Sequence, residues 1–217
     1  MTKMRAVPSE PMQARSRKTM NRILDAAEVL LTESSIDRVG IADITARAGV
    51  AAGSFYTRFA DKEDLLERLS ERYLEDLRAV ALRVIPKLRE EKRLEKRVER
   101  VIDAVTGLFA QRRGIVRSVL MKIRHDPEYR NPELMREFQD FYDLAGELLV
   151  SDGAEVRAGD PRAAGRFCMQ IIASYCRDAI LFEEYPVQMT TPRRDPAFRS
   201  ALKAACLGVL GFHGASS

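Results

Sequence analysis

The chain has 217 residues, 46% of them apolar, an ordinary balance for a soluble globular protein with room for one or two domains. No run approaches the roughly 20 apolar residues that cross a bilayer, and the charged N-terminus has no apolar segment of its own. The expectation is therefore a cytoplasmic protein without a signal peptide. The net charge of +4 is unevenly placed: residues 1–22 carry Lys3, Arg5, Arg15, Arg17, Lys18 and Arg22 against Glu10 alone, and the remainder sums to −1.

In chain order, residues 1–16 hold Pro8, Pro11 and scattered charge, and are expected to form a flexible basic arm. From Arg17 to Glu33, the spacing of Met20, Ile23, Leu24, Ala27, Leu30 and Leu31 predicts a helix with one buried stripe. The stretch Gly40–Phe59, GIADITARAGVAAGSFYTRF, then splits into two short helical runs. Ile41, Ile44 and Ala48 mark the first, Phe55 and Phe59 the second, with a break at Gly49-Val50. Gly49 can take the positive φ that a tight inter-helix turn demands, and Val50 is positioned to fill the angle. The second run has an apolar side and a small polar side, Ser54, Thr57 and Arg58, with Tyr56 at the edge, which suits a helix laid into a DNA groove.

From Ile23 to Leu66 the pattern resembles the DNA-binding domain of the tetracycline-repressor (TetR) family. The residues that carry the likeness are Ile23-Leu24-Asp25-Ala26-Ala27, Leu30-Leu31, Ile44, Ala48-Gly49-Val50, Gly53, Tyr56, Phe59, Lys62 and Leu65-Leu66. The resemblance covers about the first third of the chain. It implies that Tyr56 meets the DNA backbone and that Lys62 holds a phosphate at a helix start. Arg17 and Lys18, beside the helix-turn-helix, read as phosphate contacts. The chain also departs from the family pattern. Ser35 stands where glycine usually ends the first helix, so a local adjustment is expected there. Gly40 replaces a capping threonine. Thr45 either substitutes its hydroxyl for that phosphate contact or bonds back to the preceding turn. Ala51 and Ala52 offer methyl groups to thymine but no hydrogen bond, which leaves base readout to Ser54, Thr57 and Arg58, with Arg58 either at a guanine edge or on a phosphate. Gly53 costs a short helix roughly 1 kcal/mol relative to alanine, and close approach of backbone to DNA accounts for it.

Asp61-Lys62-Glu63-Asp64 opens a fourth helix with a capping pattern. Its stripe, Leu66, Leu69, Tyr73, Leu77, Val80 and Val84, is expected to end near Ile85 before Pro86. Residues 87–100 read as a solvated charged face. Core-facing helices follow over 101–109 and from Ile115 to Ile123. Asn131-Pro132, Asp160-Pro161 and Asp195-Pro196 each put a capping side chain before a proline, predicting three more helix starts, the last two helices running to about Glu184 and Phe212. On the final helix, Phe198, Ala201, Leu202, Ala205, Val209 and Phe212 form the expected stripe.

The sequence thus predicts an all-α chain: an arm over 1–16, a helix-turn-helix domain over 17–63 and a helical regulatory and dimerisation domain over 64–213. The resemblance implies a homodimer through the last two helices, double-stranded DNA as partner and a small-molecule effector. Phe109, Met121, Phe138, Phe141, Tyr142, Met169, Ile172 and Tyr175 are candidate lining residues, with Arg117, Arg124 or Asp178 as polar anchors. A regulator controlled by a protein partner, or by no small ligand, is the alternative. Cys168, Cys176 and Cys206 read as core hydrophobes. His125 and His213 lack metal-ligand spacing, and the chain has neither a phosphate loop nor a nucleophile elbow, so neither a metal, a cofactor nor catalysis is expected.

Overall fold

A computed structural model describes residues 12–126, 132–151, 156–181 and 196–212, and among these the regular structure is entirely helical. The chain divides into two compact units at Leu69/Ser70.

The first unit contains α1 (Met12–Glu33), α2 (Ile41–Ala48), α3 (Gly53–Tyr56) and the start of α4 (Lys62–Glu90). Helix α1 begins five residues before the expected Arg17, because Met12, Gln13, Ala14 and Arg15 are all good helix formers. At its end Ser35 does not enter the left-handed region; its carbonyl instead accepts from the amides of Arg38 and Val39, both at 3.1 Å. Ile23, Leu31, Ile44, Phe55, Phe59 and Leu65 are buried to within 1% of completely. The rings of Phe55 and Phe59 stack at 5.1 Å, so the short recognition helix is anchored by tertiary packing and not by its own length.

Helix α4 passes through Pro86 and does not stop at Ile85. A proline there removes the hydrogen bond to the carbonyl of residue 82. Leu82 is 79% exposed, so the turn that loses this bond faces solvent, while Leu88, 1% exposed, holds the turns beyond in the core.

In the second unit follow α5 (Leu94–Gln111), α6 (Arg113–His125), α7 (Pro132–Leu149), α8 (Pro161–Leu181) and α9 (Pro196–Val209). Asp160 caps α8 as expected, its carboxylate accepting from the Ala163 amide at 3.0 Å. Asn131, Asp195 and residues 182–184 lie outside the described residues. Helix α9 ends earlier than expected, at Val209, because Gly211 takes φ 68° and the Phe212 amide closes back on the Leu207 carbonyl. Its buried stripe is Phe198, Leu202, Cys206 and Leu210, one turn apart, whereas Ala201 and Ala205 face outward.

Helices α7 and α8 form the most extensive pair, and at their crossing Gly146 and Gly165 bring the two backbones together. The charged run 87–100 is not uniformly solvated, since Arg97 is 1% exposed. Its guanidinium donates to the carbonyls of Glu91, Leu148 and Ser151.

Glu99 receives Lys203 from α9, and Lys96 one turn away at 2.7 Å. Those two hydrogen bonds hold its carboxyl at about 2, below an ordinary 4.5. A lowered folded-state value means that the cluster's stabilisation is complete above about pH 4.5 and is lost as the pH falls toward 2. Glu99→Gln is therefore expected to flatten the fall of the melting temperature over that window and to leave it similar below it, as calorimetric scans across pH would reveal.

Candidate nucleic-acid interface and ligand cavity

The Gly40 amide donates to the Asp43 carboxylate at 3.1 Å, so α2 is capped without a threonine hydroxyl. Gly49 ends it at φ 62°, ψ 43°, the left-handed turn expected of it. Beyond the turn, Ala51, Ala52, Gly53 and Thr57 are exposed and Ser54 is half-buried. Tyr56 is 62% exposed, its ring edge-on to Phe55 at 5.5 Å. A Cβ built on Gly53 would meet nothing within 4 Å. Arg17 and Lys18 are exposed on α1.

Four expected contacts have other partners in this state. Thr45 is 4% exposed and its hydroxyl donates to the carbonyls of Ile41 and Ala42 at 3.0 and 3.2 Å, the back-bonded geometry. Thr57 likewise donates to the Gly53 carbonyl at 2.8 Å. Arg58 folds back, Nη1 reaching the Ser54 carbonyl at 2.8 Å and Nε that of Ser16 at 3.4 Å. Lys62 Nζ sits on three carbonyls, Ile36 at 3.0, Asp37 at 3.2 and Val39 at 3.3 Å. With three donors on the ammonium and three oxygens around it, Lys62 fixes the loop before α2. At the α4 start the Asp61 carboxylate accepts from the Glu63 and Asp64 amides at 2.8 and 2.9 Å, the cap expected of it.

The second unit holds a partly open cavity of about 320 Å³. Tyr73, Phe109, Phe138 and Tyr142 supply its rings, with Tyr73 and Phe138 5.2 Å apart. Val116, Val119, Leu120 and Ile123 from α6, Met135 from α7 and Ala173 from α8 complete an apolar wall; Arg177 is the charged member of the lining. Phe109, Phe138 and Tyr142 of the sequence candidates line this space. Met121, Phe141, Met169, Ile172 and Tyr175 do not: Met169 and Ile172 are core, and Tyr175 stacks on Phe198 at 4.8 Å. Arg177 lines this cavity, and Arg117, Arg124 and Asp178 do not.

Residues 23–69 match the family model described as bacterial regulatory proteins, tetR family. Those residues form a TetR-family DNA-binding domain. An HTH-type transcriptional regulator from Bacillus subtilis, YvdT, is 38% identical over 53 residues, 24% of this chain; the match spans only 27% of that relative's length. PfmR, a TetR-family regulator from Thermus thermophilus, superposes with a TM-score of 0.62 at 21% identity, over 90% of this chain and all of that one. FadR from Bacillus subtilis, solved with stearoyl-CoA, gives 0.55 at 18% identity, over 89% and 99%. These likenesses extend the TetR fold over the second unit. Residues 23–69 thus carry the helix-turn-helix of DNA-binding regulatory proteins, and the second unit shares the fold of these neighbours.

Sequence reasoning missed two features of the regulator. Arg22, counted with the basic arm, donates to the Gly49 carbonyl at 2.9 Å and so braces the inter-helix turn. Tyr73, read as an ordinary stripe residue, is a cavity wall whose hydroxyl is buried and has no hydrogen-bond partner. Gly49 lies 27 residues from Arg22, and the other residues that line the cavity lie further still from Tyr73, so no local pattern signals either feature. Among the described residues, no cluster of three metal-ligating side chains occurs and no helix is long and apolar enough to cross a membrane. All three cysteines are buried and free, with Cys168 Sγ 3.5 Å from the Cys206 carbonyl.

Proposed function

We propose that this chain is a TetR-family regulator, a homodimeric repressor that leaves a palindromic operator when a small molecule enters the cavity of its second unit. One observation carries the reading. A single unbroken helix, α4, holds the loop before α2 through Lys62 and lines the cavity through Tyr73, about three turns later. A ligand that prefers one position of Tyr73 therefore biases the helix that carries the DNA-binding head, and its differential affinity sets the size of the response. The stearoyl-CoA bound to Bacillus subtilis FadR supports a small molecule within this fold.

The dimer would form through α8 and α9. Phe167 on α8 is 52% exposed, and Ala201, Ala204, Ala205 and Gly208 on α9 are exposed small residues that permit close helix approach. Two-fold symmetry would offer two recognition helices to major grooves about 34 Å apart. Ser54, Tyr56 and Thr57 would meet base edges and backbone, Ala51 and Ala52 thymine methyls, and Arg17 and Lys18 phosphates. Arg58 would reach DNA by releasing the Ser16 and Ser54 carbonyls, and Lys62 would act by positioning.

The test is selection of bound DNA from a random pool, followed by titration of the selected operator with and without cell-extract fractions as effector source. Release of a palindrome by a small-molecule fraction is the expected result. An effector-bound protein that keeps full operator affinity would overturn the reading. Gly53→Ala tests the interface separately: since the added methyl meets nothing, folding stability is expected to rise by up to ~1 kcal/mol, whereas operator affinity falls. Unchanged affinity in a binding titration would remove the close-approach role of Gly53.

A further inference from the structure

The cavity in the second unit is chemically one-sided. Its lining is apolar except for the Tyr73 and Tyr142 hydroxyls and the Arg177 guanidinium. The Tyr73 side chain is 4% exposed and its hydroxyl has no partner, leaving a buried polar atom unsatisfied, a state that costs about 1–3 kcal/mol and calls for an occupant. Burial, then the nearby Tyr142, Cys176 and Asp76, push the Tyr73 phenol well up, so it remains an O–H donor. Burial also raises Tyr142, against the opposing influence of Arg177, so Tyr142 lies within electrostatic reach of both Tyr73 and Arg177.

The charges nearby are already assigned. Asp76 is ion-paired with Arg112 at 2.5 Å, and Arg177 donates to the neutral Ser174 hydroxyl at 2.9 Å. Among the described residues, no carboxylate stands within ion-pair distance of Arg177. The lining thus sets one cation and protonated phenols in an otherwise apolar wall. Such donors complement an acceptor-only, negatively charged group.

We infer that the effector of this regulator is a lipophilic monocarboxylic acid, its carboxylate on Arg177 and Tyr73 and its apolar body among Phe109, Phe138 and the α6 side chains. This rests on the proposed effector role of the cavity and gives its ligand a chemical class. The size follows from volume. A cavity of 150 Å³ holds benzene, so one of about 320 Å³ takes roughly a dozen non-hydrogen atoms, a medium-chain or aryl-alkyl acid.

The experiment compares decanoate, decanol and decylammonium, each below its micelle-forming concentration, by calorimetric titration of the full-length protein, with operator affinity measured in parallel. Decanoate is expected to bind at least tenfold more tightly than either analogue. Arg177→Gln should abolish that preference, and Tyr73→Phe should weaken decanoate by roughly tenfold, both variants being checked for native helicity. The series on the unaltered protein stands even if a variant misfolds. Equal or better binding of decanol or decylammonium, no binding of decanoate, or a well-folded Arg177→Gln that keeps the preference would each overturn the inference. Operator release by decanol with decanoate silent would sink the acid and keep the repressor reading. Tight decanoate binding without any change in operator affinity would do the reverse.

Discussion

Gly165→Ala is expected to destabilise the second unit by about 3–5 kcal/mol, a large share of the roughly 5–15 kcal/mol that holds an ordinary domain folded. The added methyl carbon would stand 2.2 Å from the Gly146 carbonyl oxygen and 3.0 Å from its carbon, with Val150 Cγ1 at 3.3 Å. The obstructing atoms are backbone, so no side-chain rotation relieves the overlap and α7 and α8 must separate along their whole contact. Because they form the largest helix pair of that unit, the loss spreads well beyond one residue. Gly107→Ala is the matched comparison. A Cβ there meets nothing within 4 Å on an exposed face of α5. The same substitution should then stabilise by about 0.5–1 kcal/mol, through helix propensity and reduced freedom of the unfolded chain. Urea unfolding monitored by circular dichroism reads both; a Gly165→Ala midpoint within about 1 kcal/mol of the parent would show that the crossing relaxes easily.

Arg97→Leu is expected to cost on the order of 3 kcal/mol, although leucine suits a buried position better than arginine does. The guanidinium closes two chain ends at once. It binds the Glu91 carbonyl in the link between α4 and α5, and the Leu148 and Ser151 carbonyls at the end of α7, at 3.2 and 2.8 Å, with Ser151 Oγ at 3.1 Å. A positive charge at a helix C-terminus also opposes the partial negative charge of its unpaired carbonyls. Leucine would leave those oxygens buried and unmatched. Arg97→Lys should recover only part of the loss, since an ammonium lacks the fork that spans both segments. Denaturant titration of the two variants decides it: equal stability of leucine and parent would mean that water replaces the guanidinium without penalty.

Gly107 and Gly165 also show where sequence reading stops. Each sits within a helical run of small and apolar residues, and nothing local distinguishes the one that touches a second backbone from the one that faces water. Arg97 is similar, because it lies in a segment so rich in charge that a solvated face is the natural expectation. Its burial depends on α7, some fifty residues later. Pro86 would stop most helices; it fails to do so here because the carbonyl it orphans is on the water side.

The TetR helix-turn-helix, by contrast, was legible because its determinants are local. The left-handed Gly49, the Phe55–Phe59 spacing and the Asp61 cap act within a few residues of where they stand, and so did the Asp160 cap of α8.

What the sequence determined by itself was therefore the helical class, most helix starts and the family of the head, since caps, turns and apolar period are short-range chemistry. Tertiary structure alone decided which apolar side chains face a cavity and which fill the core, separating Phe138 and Tyr142 from Met169 and Ile172. It also brought Tyr73 and Arg177 into one lining and turned Arg58 and Lys62 onto backbone carbonyls. The physical reason is that empty space and hydrogen-bond partners arise where helices far apart in the chain cross, and crossings are set by the summed shape of many side chains that no single stretch contains.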